Sequence, residues 1–484
     1  MTPELDSILT DAANASTSVA GSTPSERATW LRVIADGLDA AVGELVDLAT
    51  RETHLEIGRL EGEVARTSFQ LRFTADAVVE GSWLEVTIDH ADAAWPVAPR
   101  PDLRRMLQPV GPVLVVAASN FPFAFSVAGG DTATALGAGC PVIVKAHPGH
   151  PLLSRRTAQI VTDALRRAGA PEGTFAIIEG EDEAREALAD TRVKAGSFTG
   201  SVRGGRALLD IASARPDPIP FYGELGSVNP VLVLPSALAN RRRAVLEGFV
   251  NSFTLSAGQF CTKPGVIFVP RASGVQEELT DLVAAVSGSQ LLNPHIMDGF
   301  NDRIQAMQED WSQVQRGASS DSSASPSLFE ASMQQARSAP DALFAETFGP
   351  AAVLIQYDDP AELVEVIATL PGQLTATVHS DDNDPAAQPI IHALIEHAGR
   401  IVWNGWPTGV SVTWAMHHGG TWPSTTASLH TSVGPTAIRR FVRPIAVQGL
   451  PAKLLPPAVR DDNPWNVWRR VNGVPTGPVT ERTS

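Results

Sequence analysis

Two observations predict an α/β protein with an open, doubly wound sheet. From Val113 to Ser213, short apolar runs alternate with segments of helical spacing. Apolar runs of this kind mark parallel strands buried on both faces under helices. A second round of the same alternation spans about Val228 to His417. The chain has 484 residues, enough for at least two domains, and shows no internal repeat.

The opening Met1–Ser25 is polar and acidic and lacks the basic and apolar regions of a signal peptide. Leu31, Ile34, Leu38, Val42, Leu45 and Leu48 give residues 28–51 a helical period. A second helix is expected over about Gly58–Val79. Trp83–His90 and Asp102–Gln108 read as strands of a ribbon suited to a subunit contact.

The first α/β unit is expected as strands Val113–Ala117, Val142–Lys145, Thr174–Ile178 and Val193–Phe198. Helices over about Ala124–Leu136, Leu152–Ala168, Glu181–Leu188 and Arg203–Ser213 go with them. In the second, strands are expected near Val231–Leu234, Val266–Val269, Ala351–Gln356, Thr375–His379 and Arg400–Trp403, with a helix over Arg241–Ser256. Gly317–Ser327 reads as a Ser-rich surface loop, and the segment beyond Leu454 as a tail over a partner surface. The expected domains are 1–90 with 110–227 for a dinucleotide, 228–425 for catalysis, and 91–109 with 426–484 as an oligomerisation ribbon and tail.

Composition narrows the function. A net charge of −16 argues against nucleic acid and against an anionic membrane surface. Two cysteines cannot build a disulfide framework, and no apolar run reaches the ~20 residues of a membrane span. A cytoplasmic location is expected.

The candidate nucleophile is Cys261, in Gly258-Gln259-Phe260-Cys261, between a helix and a strand. Alone, such a thiol is better explained by burial in a core. Asn120 and Lys145 end apolar strands on the edge where ligands collect in doubly wound sheets. A turn Asn and a solvated Lys are their ordinary alternatives. Phe198-Thr199-Gly200-Ser201 leads into a Gly204-Gly205 helix start, which suits phosphate approach to backbone N–H groups or a plain tight turn. Glu224 lies between glycines in Gly223-Glu224-Leu225-Gly226. The pair His417-His418 lacks further ligands at useful spacing, so no metal is expected.

In this order, with Glu346-Thr347-Phe348-Gly349-Pro350, these residues resemble the aldehyde dehydrogenase superfamily over nearly the whole chain. Lys145-Ala146-His147-Pro148, Asn404 to Val410, His418-Gly419-Gly420 and Leu454-Leu455-Pro456-Pro457 are most similar to the 2-oxoglutarate semialdehyde (2,5-dioxopentanoate) dehydrogenase group. That group includes an NADP-dependent fatty aldehyde dehydrogenase.

The resemblance implies a cofactor domain, a catalytic domain and a β ribbon in a homodimer or homotetramer. It implies Cys261 as nucleophile, Asn120 as oxyanion donor and Glu224 as general base. Lys145 would hold the adenosine ribose, Ser201 and Gly205 the pyrophosphate, and Glu346 with Phe348 the nicotinamide ribose and ring. Phe121, Phe125, Phe260 and Trp406 would line a substrate tunnel.

Many NAD-preferring relatives carry Glu where this chain has Pro148, so NADP is the expected cofactor, with NAD the alternative and Arg185 a candidate second phosphate contact. The segment between Ser287 and Glu346 looks short for the group, which bears on the tunnel's shape. The expected substrate is 2,5-dioxopentanoate. A longer aldehyde, a catalytically silent member, a CoA-acylating member and a cofactor-free cysteine hydrolase are the competing readings. The hydrolase needs a histidine beside Cys261, which the sequence does not reveal.

Overall fold

The computed structural model describes residues 1–317 and 323–477. The acidic opening is a helix, α1 (Pro3–Gly21), capped by the Thr2 side chain, with Leu5, Leu9, Ala12, Ala15 and Val19 buried along one stripe. The period over 28–51 is two helices, α2 (Pro24–Ala40) and α3 (Val42–Thr53), parted where Ala41 leaves helical geometry. α4 (Ile57–Glu80) follows. Its buried Glu63 accepts hydrogen bonds from the backbone N–H groups of Phe123 and Ala124 at 2.8 and 3.0 Å. Those bonds hold the segment after Asn120 as a turn.

Strands β1 (Val86–Asp89) and β2 (Leu103–Pro109) pair antiparallel. The cofactor-type sheet comes next: β3 (Val113–Val116), β4 (Val142–Lys145), β5 (Phe175–Ile178), β6 (Ala195–Thr199) and β7 (Phe221–Glu224). Helices α5 (Gly130–Ala138), α6 (Pro151–Arg167), α7 (Glu181–Ala189) and α8 (Val202–Ala214) connect these strands. The expected helix from Ala124 therefore starts only at Gly130, because the Glu63 turn occupies its first residues. The sheet is parallel throughout, in the order β5-β4-β3-β6-β7. Chain direction across the sheet reverses between β3 and β6. A crevice opens there, beyond the carboxyl ends of these strands, and both Asn120 and Ser201 follow those ends.

The second sheet is built from β8 (Val231–Val233), β9 (Val266–Pro270), β10 (Ser312–Arg316), β11 (Ser327–Ser332), β12 (Ala351–Tyr357), β13 (Gln373–His379) and β14 (Ala398–Trp403). Its order is β10-β11-β12-β9-β8-β13-β14. The helix α9 (Pro235–Thr254) runs from β8 towards the Cys261 loop, with a break at Arg241. β10 and β11 were not expected. Of the predicted surface loop, 318–322 lie outside the described residues. Ser325 and Ser327 are buried and Ala324 bridges to Ser289, so the rest is not a surface loop.

The last strands, β15 (Val442–Gln448), β16 (Arg469–Val471) and β17 (Val474–Thr476), complete a third sheet in the order β15-β2-β1-β16-β17. β1, expected with the dinucleotide segment, thus sits inside the ribbon sheet. The tail, expected over a partner, folds back on its own chain: β16 runs parallel to β1, and Val467 occupies the space a side chain at Gly81 would need. Among the described residues, no helix is long and apolar enough to cross a membrane.

Buried Arg27 on α2 ties these parts together. Its Nη1 donates to the carbonyls of Gly137 and Ala138 at 3.1 and 2.7 Å, where α5 ends, and its guanidinium lies 5.6 Å from the Trp83 ring centre. Burial pushes it down to about 10, so it stays charged at neutral pH. Replacing it leaves two carbonyls without a donor. Arg27→Met is expected to cost about 2–4 kcal/mol, read as a lowered thermal midpoint. An unchanged midpoint would show that those carbonyls find another donor.

Candidate active site

Cys261 follows a strained turn. Ser256, Ala257 and Gly258 all have positive φ, at 47°, 55° and 68°. A Cβ on Gly258 would lie 2.3 Å from the Gly349 carbonyl oxygen, so this position requires glycine. Polar side chains hold the turn in place. Gln259 Nε2 donates to the Ser256 carbonyl, and its Oε1 accepts from the Leu292 N–H at 2.9 Å. Asn120 Nδ2 donates to the Gln259 carbonyl at 3.2 Å. Asn229 Nδ2 donates to the carbonyls of Cys261 and Lys263 at 2.8 and 3.0 Å.

Glu224 ends β7 and is buried. Its Oε1 lies 2.7 Å from His418 Nε2, and its Oε2 accepts a short hydrogen bond from the Ser432 hydroxyl. The same His418 Nε2 lies 3.4 Å from Cys261 Sγ. The histidine that the sequence did not reveal beside Cys261 is therefore present. His417-His418 reads as a metal pair or nothing in one dimension, and only the return of the chain past β7, through a Glu224–Thr425 bridge, brings His418 in.

Burial works against ionisation of Glu224, but the His418 charge and the hydrogen bonds from His418, Ser432 and Cys261 together hold its carboxyl below the usual range. Burial pushes the Cys261 thiol well above its ordinary value, the Glu224 and Glu346 charges add to this, and Arg400 opposes it. The ligand-capable atoms of Glu224, Cys261 and His418 lie within 4.8 Å of one another.

A cleft of about 800 Å³ runs from this group along the sheet switch point. Lys145, Pro148, Ser201, Glu346 and Phe348 line it, and it reaches Asn120, Glu224 and Cys261. Ser201 caps α8, accepting from the Gly204 N–H at 3.1 Å. Gly204 forms the cleft wall. Gly205 instead packs on Leu225, whose Cδ2 would lie 2.1 Å from an added Cβ. A Cβ on Gly226 would meet the Glu346 carboxylate at 2.3 Å. The buried Lys145 ammonium is lowered by burial, partly offset by Glu181 on the same wall. Burial pushes His147 beside it down to about 3, leaving a neutral ring whose Nδ1 accepts from the Gly149 N–H. The N-terminus of α8, a buried cation and glycines where side chains cannot fit together suit a dinucleotide.

Arg185 is exposed on α7, 4.0 Å from Asp182, and does not line this cleft. Phe121 packs edge-on against Phe125 and Phe260, with centroids 5.5 and 5.2 Å apart. Trp406 is elsewhere. It packs on His379 at 4.6 Å and Phe249 at 6.2 Å, against the core of the second sheet, because the Gly248 backbone leaves room for its indole there.

The model of the aldehyde dehydrogenase family matches residues 2–444. The chain is 40% identical over 462 residues to an alpha-ketoglutaric semialdehyde dehydrogenase of Acinetobacter baylyi, covering 94% of this chain and 88% of the relative. It is 41% identical over 457 residues to alpha-ketoglutaric semialdehyde dehydrogenase 2 of Azospirillum brasilense, covering 92% and 87%. The NADP-dependent glyceraldehyde-3-phosphate dehydrogenase of Bacillus halodurans, solved with NADP, shares the fold with a TM-score of 0.77 at 20% identity, over 92% of this chain and 90% of that one.

The thiol environment gives a direct expectation. Without cofactor, Cys261 should alkylate with iodoacetamide more slowly at pH 7 than free cysteine, the rate still rising above pH ~8.5. Glu224→Gln removes a charge that raises the thiol, so alkylation at a given pH should quicken several-fold. Coincident rate–pH profiles for the two proteins, followed by mass spectrometry of the Cys261 peptide, would refute that coupling.

Proposed function

This chain belongs to the aldehyde dehydrogenase family, and from that premise we propose that it oxidises 2,5-dioxopentanoate to 2-oxoglutarate with NADP+. The observation that carries the reading is the meeting of Asn120, Glu224 and Cys261 at one end of the dinucleotide-shaped cleft. The semialdehyde named for the two relatives at 40% and 41% identity supports the substrate.

Cys261 Sγ attacks the aldehyde carbon. His418 Nε2, 3.4 Å from the thiol and 2.7 Å from Glu224 Oε1, joins with Glu224 in the route by which its proton leaves. The Asn120 amide and the Cys261 backbone N–H donate to the oxyanion, and one such donor contributes ~3–4 kcal/mol. The bound nicotinamide supplies the hydride acceptor. Glu224, kept ionised by its partners, then takes a proton from the water that cleaves the thioester, and the product carboxylate departs. Ser432 fixes the other carboxylate oxygen during this transfer.

Lys145 and Ser201 would bind the adenosine ribose and the pyrophosphate, and Glu346 with Phe348 the nicotinamide half. Gly204 joins them in place of Gly205. With Pro148 where a ribose-binding carboxylate would stand, Lys145 is available to a 2′-phosphate. NADP+ preference then rests on Lys145 outweighing Glu181 on the same wall. The Phe121, Phe125 and Phe260 cluster favours a second reading, a longer apolar aldehyde. The free thiols suit the cytoplasm, and the ribbon sheet offers edges for a homodimer or homotetramer.

NADPH absorbance with 2,5-dioxopentanoate and a long-chain aldehyde tests the reading. The oxo-acid should be preferred, and Cys261→Ser should lose at least ~1000-fold in rate. Turnover of the long-chain aldehyde alone would move the substrate to the second reading. Glu224→Gln should keep a first-turnover burst of NADPH while steady-state turnover falls about 100- to 1000-fold. The kcat/KM for NADP+ should exceed that for NAD+ by roughly tenfold or more, one phosphate contact being worth that much. A large NAD+ advantage would sink the preference.

A further inference from the structure

We infer that Arg66 and Arg400 form the clamp that receives the far carboxylate of the substrate, which makes them specificity-determining residues. This rests on the oxo-acid reading of the same site. In 2,5-dioxopentanoate the carboxylate lies about 5 Å from the aldehyde carbon, four carbon–carbon bonds away. A carboxylate held that deep needs a cation or several donors, since burying it unpaired is prohibitive.

Arg66 lies on α4 with its guanidinium 5.4 Å from the Phe125 ring centre. Phe125 packs on Phe121, Phe121 on Phe260, and Phe260 is the residue before Cys261. Phe125 also stands 6.4 Å from the His418 ring. Arg400 lies on β14. Both arginines grip one segment: Arg66 Nη2 donates to the Val410 carbonyl at 3.3 Å, and Arg400 donates to the carbonyls of Gly409 and Pro407 at 3.2 and 2.5 Å.

Each keeps a buried N–H with no acceptor among the described residues, Nη1 of Arg66 and Nε of Arg400. Burial lowers both guanidiniums, opposed at Arg66 by charge on Glu63, Cys261 and Glu224 and at Arg400 by charge on Cys261. Glu63, whose charge acts most on Arg66, uses Oε1 on the N–H groups of Phe123 and Ala124; its Oε2 is buried without a hydrogen bond, and no ion pair joins it to Arg66 among the described residues. A half-buried guanidinium without an ion-pair partner is costly unless an anion arrives to meet it.

Arg59, on the same face of α4, is different. Its Nη2 donates to the Asn120 carbonyl at 2.6 Å, and its guanidinium is sandwiched by the Phe121 and Phe260 rings at 5.1 and 5.2 Å. It positions the Asn120 turn. A planar guanidinium pair, by contrast, matches the fork of a carboxylate and can take the neighbouring 2-oxo group on a remaining N–H.

The test compares kcat/KM for 2,5-dioxopentanoate and for pentanal, its uncharged five-carbon counterpart, in wild type, Arg66→Gln, Arg66→Lys and Arg400→Gln. Loss of one clamp arm should lower the oxo-acid value about 10- to 100-fold, mainly through KM, and change pentanal less than about threefold. Arg66→Lys should recover part of the loss and remains informative if the Gln variants fold poorly. Equal losses on both substrates would overturn the clamp. A separate readout is protection of Cys261 from iodoacetamide by 2-oxoglutarate, expected in wild type and lost in Arg66→Gln. If wild type turns over pentanal but not 2,5-dioxopentanoate, the substrate reading fails. The clamp then stands only if 2-oxoglutarate still protects Cys261 through Arg66, and absence of that protection in wild type overturns it as well.

Discussion

The side-chain amide of Asn229 is the point on which the site depends. It sits at positive φ between β7 and β8, fully buried. Its Nδ2 donates to the carbonyls of Cys261 and Lys263, and its Oδ1 accepts from Ser227 Oγ and from the N–H and hydroxyl of Thr375. Gln373 Oε1 accepts from the N–H groups of Val228 and Asn229 and from Ser227 Oγ. One buried network thus joins the exit of the first sheet, the nucleophile turn and β13 of the second. Such networks rigidify when every member is paired and are costly when one is not. This network holds the Cys261 loop against the end of β7, and the Cys261–Glu224 hydrogen bond closes it.

That rigidity explains how an unfavourable set of charges persists. The thiol is raised by burial and by two carboxylates, while Glu224 is kept ionised by its hydrogen bonds. Nearby, burial pushes the Glu346 carboxyl up and the Lys263 ammonium down, their attraction opposing both shifts. A softer scaffold would let these groups collapse into ion pairs. Here Lys263 is held instead on the Ala351 carbonyl at 2.9 Å. In the resting site these shifts favour a protonated Cys261 thiol and an ionised Glu224 carboxylate.

Most strands of the first two sheets were legible because continuous apolar runs have few other uses, but β7, which carries Gly223 and Glu224, was not expected. Cys261, Glu224 and Asn120 were legible through their local motifs, and they do meet at one end of the cleft. What escaped depended on distant partners. α1 was hidden by an acidic surface face over a thin stripe of Leu and Ala. The late start of α5 comes from Glu63, a residue with no local link to it. β10 and β11 carry too many polar residues to read as strands. Which of Gly204 and Gly205 faces the cleft depends on Leu225 across the packing. Trp406, placed by type in the tunnel, found its space at Gly248. His418 gains meaning only from the path that returns the chain to β7.

That returning path has a consequence for biosynthesis. The Ser432 hydroxyl that holds Glu224 lies 208 residues further along the chain. At ribosomal speeds of about 5–20 residues per second, some 10–40 s separate the emergence of these two partners. The first parallel sheet can form in that interval, yet its base carboxylate lacks its anchors and the Cys261 loop lacks the roof that His418 provides. The polar network around Glu224 and Cys261 is therefore completed only after His418 and Ser432 have emerged.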